Sequence, residues 1–290
     1  MKTMTLTLRS ILLILIILSA TQYALFSQGS DSIRSKGLFV GLSLGTAQTQ
    51  IVNQGSSAVS EIVSNKGNAF SGSAEVGYYF SRYIGLSTGI GYSTYKAQIT
   101  LANWQSIFSA TDSENENFEM RATGTNITED QKISYLNVPV YLNLRLPLRG
   151  KIGLFLQSGI NLAFRTGQNY TGNGTFTYKG YYSKYNVLLE NLPLYGFPAN
   201  KATSSQGKPG IESFAVFAVA RAGVDFNINE KIQLSFGGTY NKSISTVSDS
   251  PAGIQYQLSP AADQINSLMG GSSKVTVQSF GLSLMFRHYF

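Results

Sequence analysis

The chain has 290 residues, of which 13% are charged and 12% aromatic, with 29 glycines and no cysteine. The absence of cysteine excludes disulfide bonds, thiol catalysis and a lipoprotein anchor. The formal net charge of +7 comes from dispersed basic residues, without the clustering typical of nucleic-acid binding, so we exclude nucleic acid as a partner. No internal apolar run is long enough for a membrane-spanning helix, whereas low charge with many aromatic residues and glycines favours a membrane β-barrel.

The N-terminal segment, residues 1–27, has the pattern of a secretory signal peptide. Lys2 and Arg9 precede an apolar core over residues 11–18, which is too short to cross a bilayer as a helix. Small and polar residues follow, and we place cleavage near Ser27 and Gln28. We therefore expect export, with residues 28–290 forming a single outer membrane β-barrel domain.

Eight stretches after this segment alternate between apolar and polar side chains with the period of two that a β-strand requires. In all eight the apolar positions carry even numbers. Pro139 falls inside one stretch and cannot donate to a strand ladder, so we expect a bulge or a locally open pair there. The eight predicted strands are Gly37–Thr49, Ala69–Phe80, Tyr83–Thr100, Lys132–Leu146, Lys151–Thr166, Ile211–Ile228, Lys231–Thr246 and Lys274–Phe290.

The connections between these strands alternate strictly between short and long. The short ones are Ser81–Arg82, Pro147–Gly150 and Asn229–Glu230, and the long ones are Gln50–Asn68, Leu101–Gln131, Gly167–Gly210 and Val247–Ser273. In an up-and-down barrel this alternation places all tight turns at one rim and all long loops at the other. We therefore predict an all-β fold, an eight-stranded antiparallel up-and-down transmembrane β-barrel with four long outer loops and three short periplasmic turns. A ninth and tenth strand inside the third long connection are the alternative.

Outward-facing aromatic residues form two predicted girdles. Ten to twelve residues separate the two sets along single strands, and ten residues at roughly 3.3 Å each and a tilt of about 40° rise about 25 Å, the height of the apolar band. We also expect Phe290 to present the last strand to the barrel assembly machinery. The girdle toward the long connections comprises Phe70, Tyr92, Phe164, Phe214, Tyr240 and Phe280, and the one toward the turns comprises Phe80, Phe226 and Phe290.

Several charged residues have the inward phase of the predicted barrel. Unpaired charges in a small lumen are costly, so we expect them to pair or to meet water, as a polar plug that holds the barrel together. An eight-stranded barrel has room inside for side chains but hardly for a channel. A proton or small-ion path along the arginines is the alternative. The predicted lumen charges are Glu75, Arg145, Arg165, Arg221, Asp225 and Arg287.

No constellation in the sequence indicates catalysis or a metal site. His288 is the sole histidine and lies near the turn rim with an outward phase, which favours an interfacial side chain over a general base. The acidic residues Glu114, Glu116 and Glu119 do not have EF-hand spacing, and we interpret them as a solvated loop. We expect no enzymatic activity, no metal and no cofactor.

Four segments carry a resemblance to a known family: GLFVGLSLG at Gly37, YLNVPVYLNL at Tyr135, GVDFNI at Gly223 and FGLSLMFRHYF at Phe280. With the signal pattern, they resemble the PorT-like outer membrane β-barrel proteins of Bacteroidetes-type bacteria, over nearly all of the mature chain. The resemblance implies a barrel in the outer membrane of a Gram-negative cell. That family is broad, includes a member tied to protein secretion, and supplies no catalytic residues.

We therefore expect a non-enzymatic integral outer membrane protein that contacts membrane lipid, the assembly machinery and a partner in the envelope or outside the cell. It is either an accessory of a secretion apparatus, as the resemblance implies, or an adhesin-like barrel that binds an extracellular ligand through its long loops. A small channel ranks below both. A lipid-modifying enzyme ranks last, because the sequence offers no histidine at the loop rim.

Overall fold

The computed structural model describes residues 36–54, 62–148, 150–248, 267–271 and 274–290. The predicted signal peptide and most of the fourth long connection lie outside these residues. The described part contains eleven strands and two 3-10 turns, at Pro193–Tyr195 and Leu268–Gly271. The strands are β1 (Gly37–Gln54), β2 (Ile62–Asn65), β3 (Gly67–Tyr79), β4 (Ile84–Thr111), β5 (Asn117–Pro147), β6 (Ile152–Tyr182), β7 (Val187–Glu190), β8 (Lys201–Gly207), β9 (Phe214–Asn227), β10 (Ile232–Ser243) and β11 (Lys274–Tyr289).

Eight of these strands pair in a closed antiparallel ring. The order round the ring is β1, β3, β4, β5, β6, β9, β10 and β11, and β11 returns to β1. The closing pair runs in unbroken register from Phe39 opposite Tyr289 to Gln54 opposite Lys274. A closed ring leaves no free sheet edge, which is the condition for strands to exist within hydrocarbon. The prediction of eight ring strands is confirmed, because β7 and β8 pair with β6 outside the ring.

Three tight turns join ring strands at one end, which we call the turn rim. Each is closed by a backbone hydrogen bond: Phe80 N–H to Ile84 O (2.9 Å), Leu148 N–H to Ile152 O (3.0 Å) and Ile228 N–H to Ile232 O (2.9 Å). The Ser81 hydroxyl and the Asn229 carboxamide oxygen each accept from two following backbone N–H groups. Ser and Asn favour turns because they make such local bonds. Tight turns therefore lie at the three predicted short connections.

Within the ring, side chains alternate as the sequence predicts. Even-numbered apolar residues such as Leu42, Leu142 and Leu284 are exposed, while polar odd-numbered residues such as Asn143 and Gln157 are buried. At Pro139 the β4–β5 ladder is interrupted: pairing stops at Thr88 opposite Val140 and resumes at Gly91 opposite Asn137. The Thr88 hydroxyl donates to Pro139 O (2.7 Å) across this opening. The ladder is thus locally open at the proline, as predicted.

The prediction of four long loops is wrong for the second connection and incomplete for the first and third. Residues 101–131 are a continuous β4–β5 hairpin that turns at residues 112–116. The third connection continues β6 to Tyr182 and then forms β7 and β8. The first contains the end of β1 and all of β2. The three strands β4, β5 and β6 therefore continue well past the other ring strands, and we call residues 102–125 and 168–207 the extension.

The extension escaped prediction because the alternation changes phase where it begins. In β5, Ile127, Glu129 and Gln131 are buried at odd positions, whereas Phe118 and Met120 are buried at even ones. The change coincides with Asn126, whose φ is 52°, and with a register shift between Thr125 and Thr128. A second register shift, between Ser134 and Tyr135, changes the phase of β6 in the same way. Such bulges turn a strand's buried face to the other side.

Candidate functional site

The lumen near the turn rim holds a hydrogen-bonded polar network centred on Gln157. Arg221 Nη1 forms a salt bridge with Glu75 Oε1 (3.0 Å) and also donates to Gln157 Oε1 (3.0 Å). Gln157 Nε2 donates to Glu75 Oε2 (3.0 Å) and to Asn143 Oδ1 (2.9 Å). Asn143 Nδ2 in turn donates to the Ser87 hydroxyl (2.9 Å). Five different ring strands are thereby joined through buried groups, so the network ties the barrel wall across its interior.

A second group of contacts extends this network toward the turns. Arg287 donates to Gln233 Oε1 (3.3 Å) and lies over the Phe39 ring, 5.3 Å from its centroid. The Tyr289 hydroxyl donates to the same Gln233 oxygen (2.7 Å) and accepts from Arg145 Nη1 (3.3 Å). The arginines are thus held largely by neutral acceptors and aromatic rings, which makes the lumen a packed polar core.

Two predicted members of the lumen network lie outside its salt bridge. Asp225 accepts from the Ser235 hydroxyl, but no salt bridge joins it to an arginine in the described part of the chain. Arg165 lies farther from the turn rim, beside Tyr135 in the β5–β6 register. Asp225 thus has no direct salt bridge of the kind that Glu75 forms with Arg221, and the place of Arg165 in the network stays a prediction. The alternation of the sequence predicted which face of the wall each side chain takes. It did not predict how far from the turn rim the side chain lies or which way it points within the lumen.

The nine predicted girdle residues all have exposed side chains, from 41% to 67% of their surface. Phe164 and Phe214 contact each other, with ring centroids 5.3 Å apart. At the turn rim, Phe290 is exposed and its backbone N–H donates to Leu38 O (3.0 Å), next to the closing strand pair. His288 is half-buried beside the Phe290 ring. The role of Phe290 in assembly stays a prediction.

Beyond the girdle at the opposite end, the interior of the ring becomes apolar. Ile99, Ile127 and Val277 are buried there, and Leu268 and Met269 of the fourth connection pack against this cluster. The outward positions become polar at the same level, since Lys96 and Lys132 are exposed and paired in register. The wall is therefore apolar outside and polar inside on one side of the girdle, and polar outside and apolar inside on the other.

Glu129 anchors the fourth connection over this apolar interior. Its buried carboxylate accepts from the Ser267 hydroxyl (2.6 Å), from Leu268 N–H (2.7 Å) and from Gln131 Nε2. Burial raises the pKa of the Glu129 carboxyl, while these three hydrogen bonds oppose that rise. The carboxylate thus holds the start of the 3-10 turn at Leu268–Gly271 against the apolar interior of the ring.

The extension is a folded unit with its own core. Phe176 and Trp104 meet edge to face with centroids 6.2 Å apart, and Phe118 meets Phe197 in the same way at 5.7 Å. Phe197 reaches this core because Leu192 and Phe197 exchange two backbone hydrogen bonds across a tight turn. The third connection is therefore packed against the extended sheet.

The far end of the extension is held by carboxylates of the β4–β5 turn. Asp112 accepts from the N–H groups of Glu114 and Glu116 (both 2.9 Å) and from the Tyr182 hydroxyl (3.0 Å). Glu116 accepts from Lys184 Nζ (2.8 Å) and the Tyr185 hydroxyl (2.7 Å). The backbone N–H of Glu116 lowers the pKa of Asp112, and the Lys184 bond lowers that of Glu116. The two turns at this end are thus clamped together.

This clamped end presents large apolar side chains to solvent. Leu194 is 98% exposed and Tyr195 is 74% exposed, on the 3-10 turn that Pro193 begins. Asn186, Asn191 and Gly196 shape the segment with left-handed backbone conformations, which Asn and Gly accept at low cost. We call the exposed set the tip patch; it comprises Tyr185, Val187, Leu188, Leu192, Leu194 and Tyr195.

Sequence reasoning missed both the neutral part of the lumen network and the tip patch. Gln157 and Gln233 have the inward phase and could have been found by including uncharged polar residues. The segment from Val187 to Tyr195 is the apolar part of a long connection otherwise rich in polar residues. That contrast was a usable signal for an exposed interaction surface.

The described residues offer no arrangement for a metal ion, since no group of three or more His, Asp or Glu side chains is placed to hold one there. No helix in the described part of the chain is long and apolar enough to cross a membrane. Within the lumen, one small polar cavity of about 20 Å³ lies between Ser73, Tyr141 and Arg221. It has room for about one water molecule.

The sequence matches the family model described as "Outer membrane protein beta-barrel domain" over residues 26–249, well over half of the chain. The chain belongs to this family. It is accordingly an antiparallel all-β protein of the outer membrane, and its closed ring is an outer membrane barrel. This match does not distinguish the PorT-like proteins, which the sequence resembles, from other members of the family.

The barrel is also similar to solved outer membrane proteins. Neisserial surface protein A is 12% identical (TM-score 0.32), with 91% of this chain and 100% of that chain covered. Ail, the attachment invasion locus protein of Yersinia pestis, is 13% identical (TM-score 0.28; 87% and 99% covered). OprG of Pseudomonas aeruginosa is 12% identical (TM-score 0.35; 90% and 99% covered). Similarity this low carries no information on function. No curated protein matches the chain.

Proposed function

We propose that this protein is a non-enzymatic surface-recognition barrel that binds a partner outside the cell through the extension. The observation that carries the proposal is the tip patch, in which Leu194 and Tyr195 are almost fully exposed on a clamped, hydrogen-bonded frame. Exposed apolar patches on folded surfaces mark interaction sites, and aromatic side chains supply much of the binding energy at such sites. A frame that is already ordered loses little entropy on binding.

The direction of the barrel in the membrane follows from the same features. The turn rim has short connections, which in outer membrane barrels face the periplasm, whereas the extension stands at the end where long connections face outward. Past the girdle, Lys96 and Lys132 on the outer wall are exposed polar residues that fit an aqueous environment. In this orientation the tip patch is displayed to the medium.

The packed lumen supports recognition over transport. Gln157, Asn143 and Arg221 are hydrogen-bonded to one another within the lumen, and Leu268 and Met269 belong to the apolar cluster at the other end. A channel would need a continuous aqueous path between the two ends. We therefore expect purified protein in planar bilayers to pass little current, and discrete porin-sized steps would contradict the proposal.

The proposal is tested by photocrosslinking on intact cells that produce the protein. A photoreactive residue at Tyr195 should give a discrete crosslinked partner, and Leu194→Asp in the same chain should remove it because a charge disrupts apolar contact. Leu148→Asp is the matched control, since Leu148 is an exposed leucine at the turn rim. Crosslinks that survive Leu194→Asp, or their absence in the otherwise unaltered chain, would contradict the proposal.

The same strains separate recognition from a secretion role, which the PorT-like resemblance implies. Deletion of the gene should leave the set of extracellular proteins unchanged if the protein serves recognition. Loss of extracellular proteins on deletion, with no effect of Leu194→Asp, would favour the secretion accessory instead.

A further inference from the structure

A furrow runs along β3 on the outer, lipid-facing wall of the ring. Gly72 and Ala74 are small outward residues of β3, and each lies in register between a large side chain of β1 and one of β4. Two adjoining hollows of about 550 and 440 Å³ lie there, and because both are lined by Ala74 they form one furrow. The flanking pairs are Leu44 and Tyr92 beside Gly72, and Leu42 and Ile90 beside Ala74.

The furrow lies within the apolar band of the wall. Its side chains Leu42, Leu44 and Ile90 are 56–62% exposed, and the girdle residues Phe70 and Phe80 bound the same stretch of β3. The surroundings between the girdles are hydrocarbon. An unfilled hollow forfeits dispersion contacts on its open side. An acyl chain of a neighbouring lipid is therefore the group that fills it.

The polarity of the outer wall rises in steps from the furrow toward the extension. Just past Tyr92, the hydroxyl oxygens of Thr94 and Ser134 lie 3.2 Å apart. One step farther, Lys96 and Lys132 are exposed and lie opposite each other in register. The same order, from hydrocarbon through hydroxyl and ester groups to charge, is found along a lipid molecule.

The spacing of these steps fits the polar layer of a bilayer. From Tyr92 to Lys96 the strand advances about 13 Å at roughly 3.3 Å per residue, which a tilt of about 40° converts to a rise of about 10 Å. The polar layer on each side of a bilayer is about 5–8 Å thick. The flexible side chains of Lys96 and Lys132 therefore reach the level of the headgroups.

We propose that the furrow and the two lysines together bind one lipid of the outer leaflet whose headgroup carries phosphate. An acyl chain lies in the furrow over Gly72 and Ala74, and the phosphate lies between the ammonium groups of Lys96 and Lys132. Lysine binds phosphate as a compact point charge with three donors. The inference goes beyond the partner proposed for the tip patch and rests on the proposed function only for the outward direction of the extension.

The two parts of the site contribute differently. Lipid tails are as apolar as the leucine side chains of the wall, so the furrow supplies packing but discriminates little between lipids. The lysines supply the discrimination, because each basic residue near the membrane surface favours anionic headgroups. The phosphate should therefore dominate the affinity.

A second copy of this chain is a poorer occupant of the furrow. A two-fold interface places the same surface on both copies. Two concave furrows face to face would enclose a larger void, and Lys96 and Lys132 of the two copies would lie against each other. A lipid fills the furrow and neutralises the lysines at once.

The test uses native mass spectrometry of the purified full-length protein in a neutral detergent. The probe is lipid A in its phosphorylated and dephosphorylated forms, which have the same acyl chains. The unaltered protein should retain one phosphorylated lipid A. Lys96→Gln should weaken its binding about fivefold, and Lys96→Gln combined with Lys132→Gln about thirtyfold, with dephosphorylation of the lipid having a similar effect. Added salt should weaken binding of the phosphorylated form alone.

Matched variants on the far side of the ring serve as controls. Lys242 is exposed just beyond the girdle residue Tyr240 on β10, four ring strands from β4. Lys242→Gln should bind phosphorylated lipid A within about twofold of the unaltered protein, since salt screens so distant a charge. Ala74→Leu, which fills the furrow, should weaken both forms of lipid A by the same factor, whereas Ala222→Leu on the outer wall of β9 should weaken neither. The heat-modifiable gel shift shows that the ring of each variant is folded.

The inference is overturned if the two forms of lipid A bind equally, or if the variant without both lysines binds as the unaltered protein does. A dimer that Ala74→Leu abolishes would assign the furrow to a second copy. Inorganic phosphate that binds as tightly as phosphorylated lipid A would remove the furrow from the site. These failures are distinct from failure of the proposed function, because Leu194-dependent crosslinks at Tyr195 would persist in the lysine variants.

Discussion

The inner and outer faces of the barrel wall exchange polarity between two regions of the same strands, the region between the two girdles and the region beyond the girdle at the loop end. Between the girdles, apolar residues such as Leu142 and Leu284 face outward and polar residues such as Asn143 and Gln157 fill the interior. Beyond the girdle, Ile99 and Ile127 lie inside and Lys132 lies outside. The β4–β5 ladder is continuous from Gly91 to Leu101 across the change, so the surroundings of the wall, hydrocarbon or water, account for which face is apolar.

The two regions also differ in what holds their interiors together. The membrane region relies on hydrogen bonds and, among the residues that the structure describes, on one buried salt bridge between Arg221 and Glu75. The extension relies on aromatic packing around Trp104 and Phe176, as an ordinary soluble domain does. Substitutions should therefore have different effects in the two regions, and the following four predictions run from the largest expected effect to the smallest.

Arg221→Leu should destabilise the barrel by about 3–5 kcal/mol, because it leaves Glu75 charged and unpaired in a closed interior. Equilibrium unfolding in lipid vesicles measures the change. The double variant with Glu75→Leu should lose less than the sum of the two single changes, since the two residues are coupled. Asp225→Asn should cost less, because no salt bridge joins Asp225 to an arginine in the described part of the chain and the change keeps an acceptor oxygen for the Ser235 hydroxyl. An Arg221 variant that is as stable as the original would show that the network contributes nothing.

Leu284→Arg should cost about 2–4 kcal/mol, because it places a charge on the lipid-facing wall between the girdles. The matched change Ile107→Arg in the extension should stay within about 0.5 kcal/mol, because that exposed side chain already meets water. Vesicle refolding compares the two variants directly. Equal costs would contradict the assignment of the membrane boundary.

Glu129→Ala should reduce the free energy that holds residues 267–269 against the ring by about 1–3 kcal/mol, because the Leu268 N–H loses its buried acceptor. Faster amide exchange at Leu268 would show the release, while the heat-modifiable gel shift of the ring stays unchanged. Glu129→Gln, which keeps one acceptor oxygen, should have an intermediate effect. Unchanged exchange in both variants would mean that apolar packing of Leu268 and Met269 holds the segment without the carboxylate.

Acid should loosen the far end of the extension but not the ring. The pKa values of Asp112 and Glu116 are lowered in the folded state, so their contribution is present above the ordinary carboxyl range and is lost as the pH falls through the lowered values. The protection factor of the Glu116 amide should therefore drop several-fold below about pH 4. Asp112→Asn should show part of this loss already at neutral pH. A protection factor independent of pH would refute the carboxylate clamp.

The sequence predicted the ring accurately because strand alternation and tight-turn chemistry are local. Ser81 and Asn229 mark turns through bonds to their own neighbours, and each ring strand keeps one parity between the turn rim and the start of the extension. The prediction failed in residues 101–131, where the parity changes at Asn126. Because the alternation is interrupted at that point, the sequence pattern predicted a loop where the structure has a hairpin.

The sequence predicted which charged residues face the lumen, but it did not predict which residues they contact. Inward phase identified Glu75 and Arg221, and the structure pairs them. The same rule grouped Arg165 and Asp225 with them, although phase gives no information on depth or on the direction of a long side chain. Gln157, which joins the two charged residues, carries no charge and was therefore overlooked.

The amino-acid sequence by itself determined the fold class, the eight ring strands and the face that each side chain takes between the girdles. These follow from a period of two and from turn residues, which act within a few positions of the chain. The tertiary structure alone decided that Phe197 folds back onto Phe118, that Glu129 secures Leu268, and that β7 and β8 pair with β6 outside the ring. Those contacts join residues far apart in sequence, and their geometry depends on bulges and left-handed residues whose effect appears only when the strands are paired.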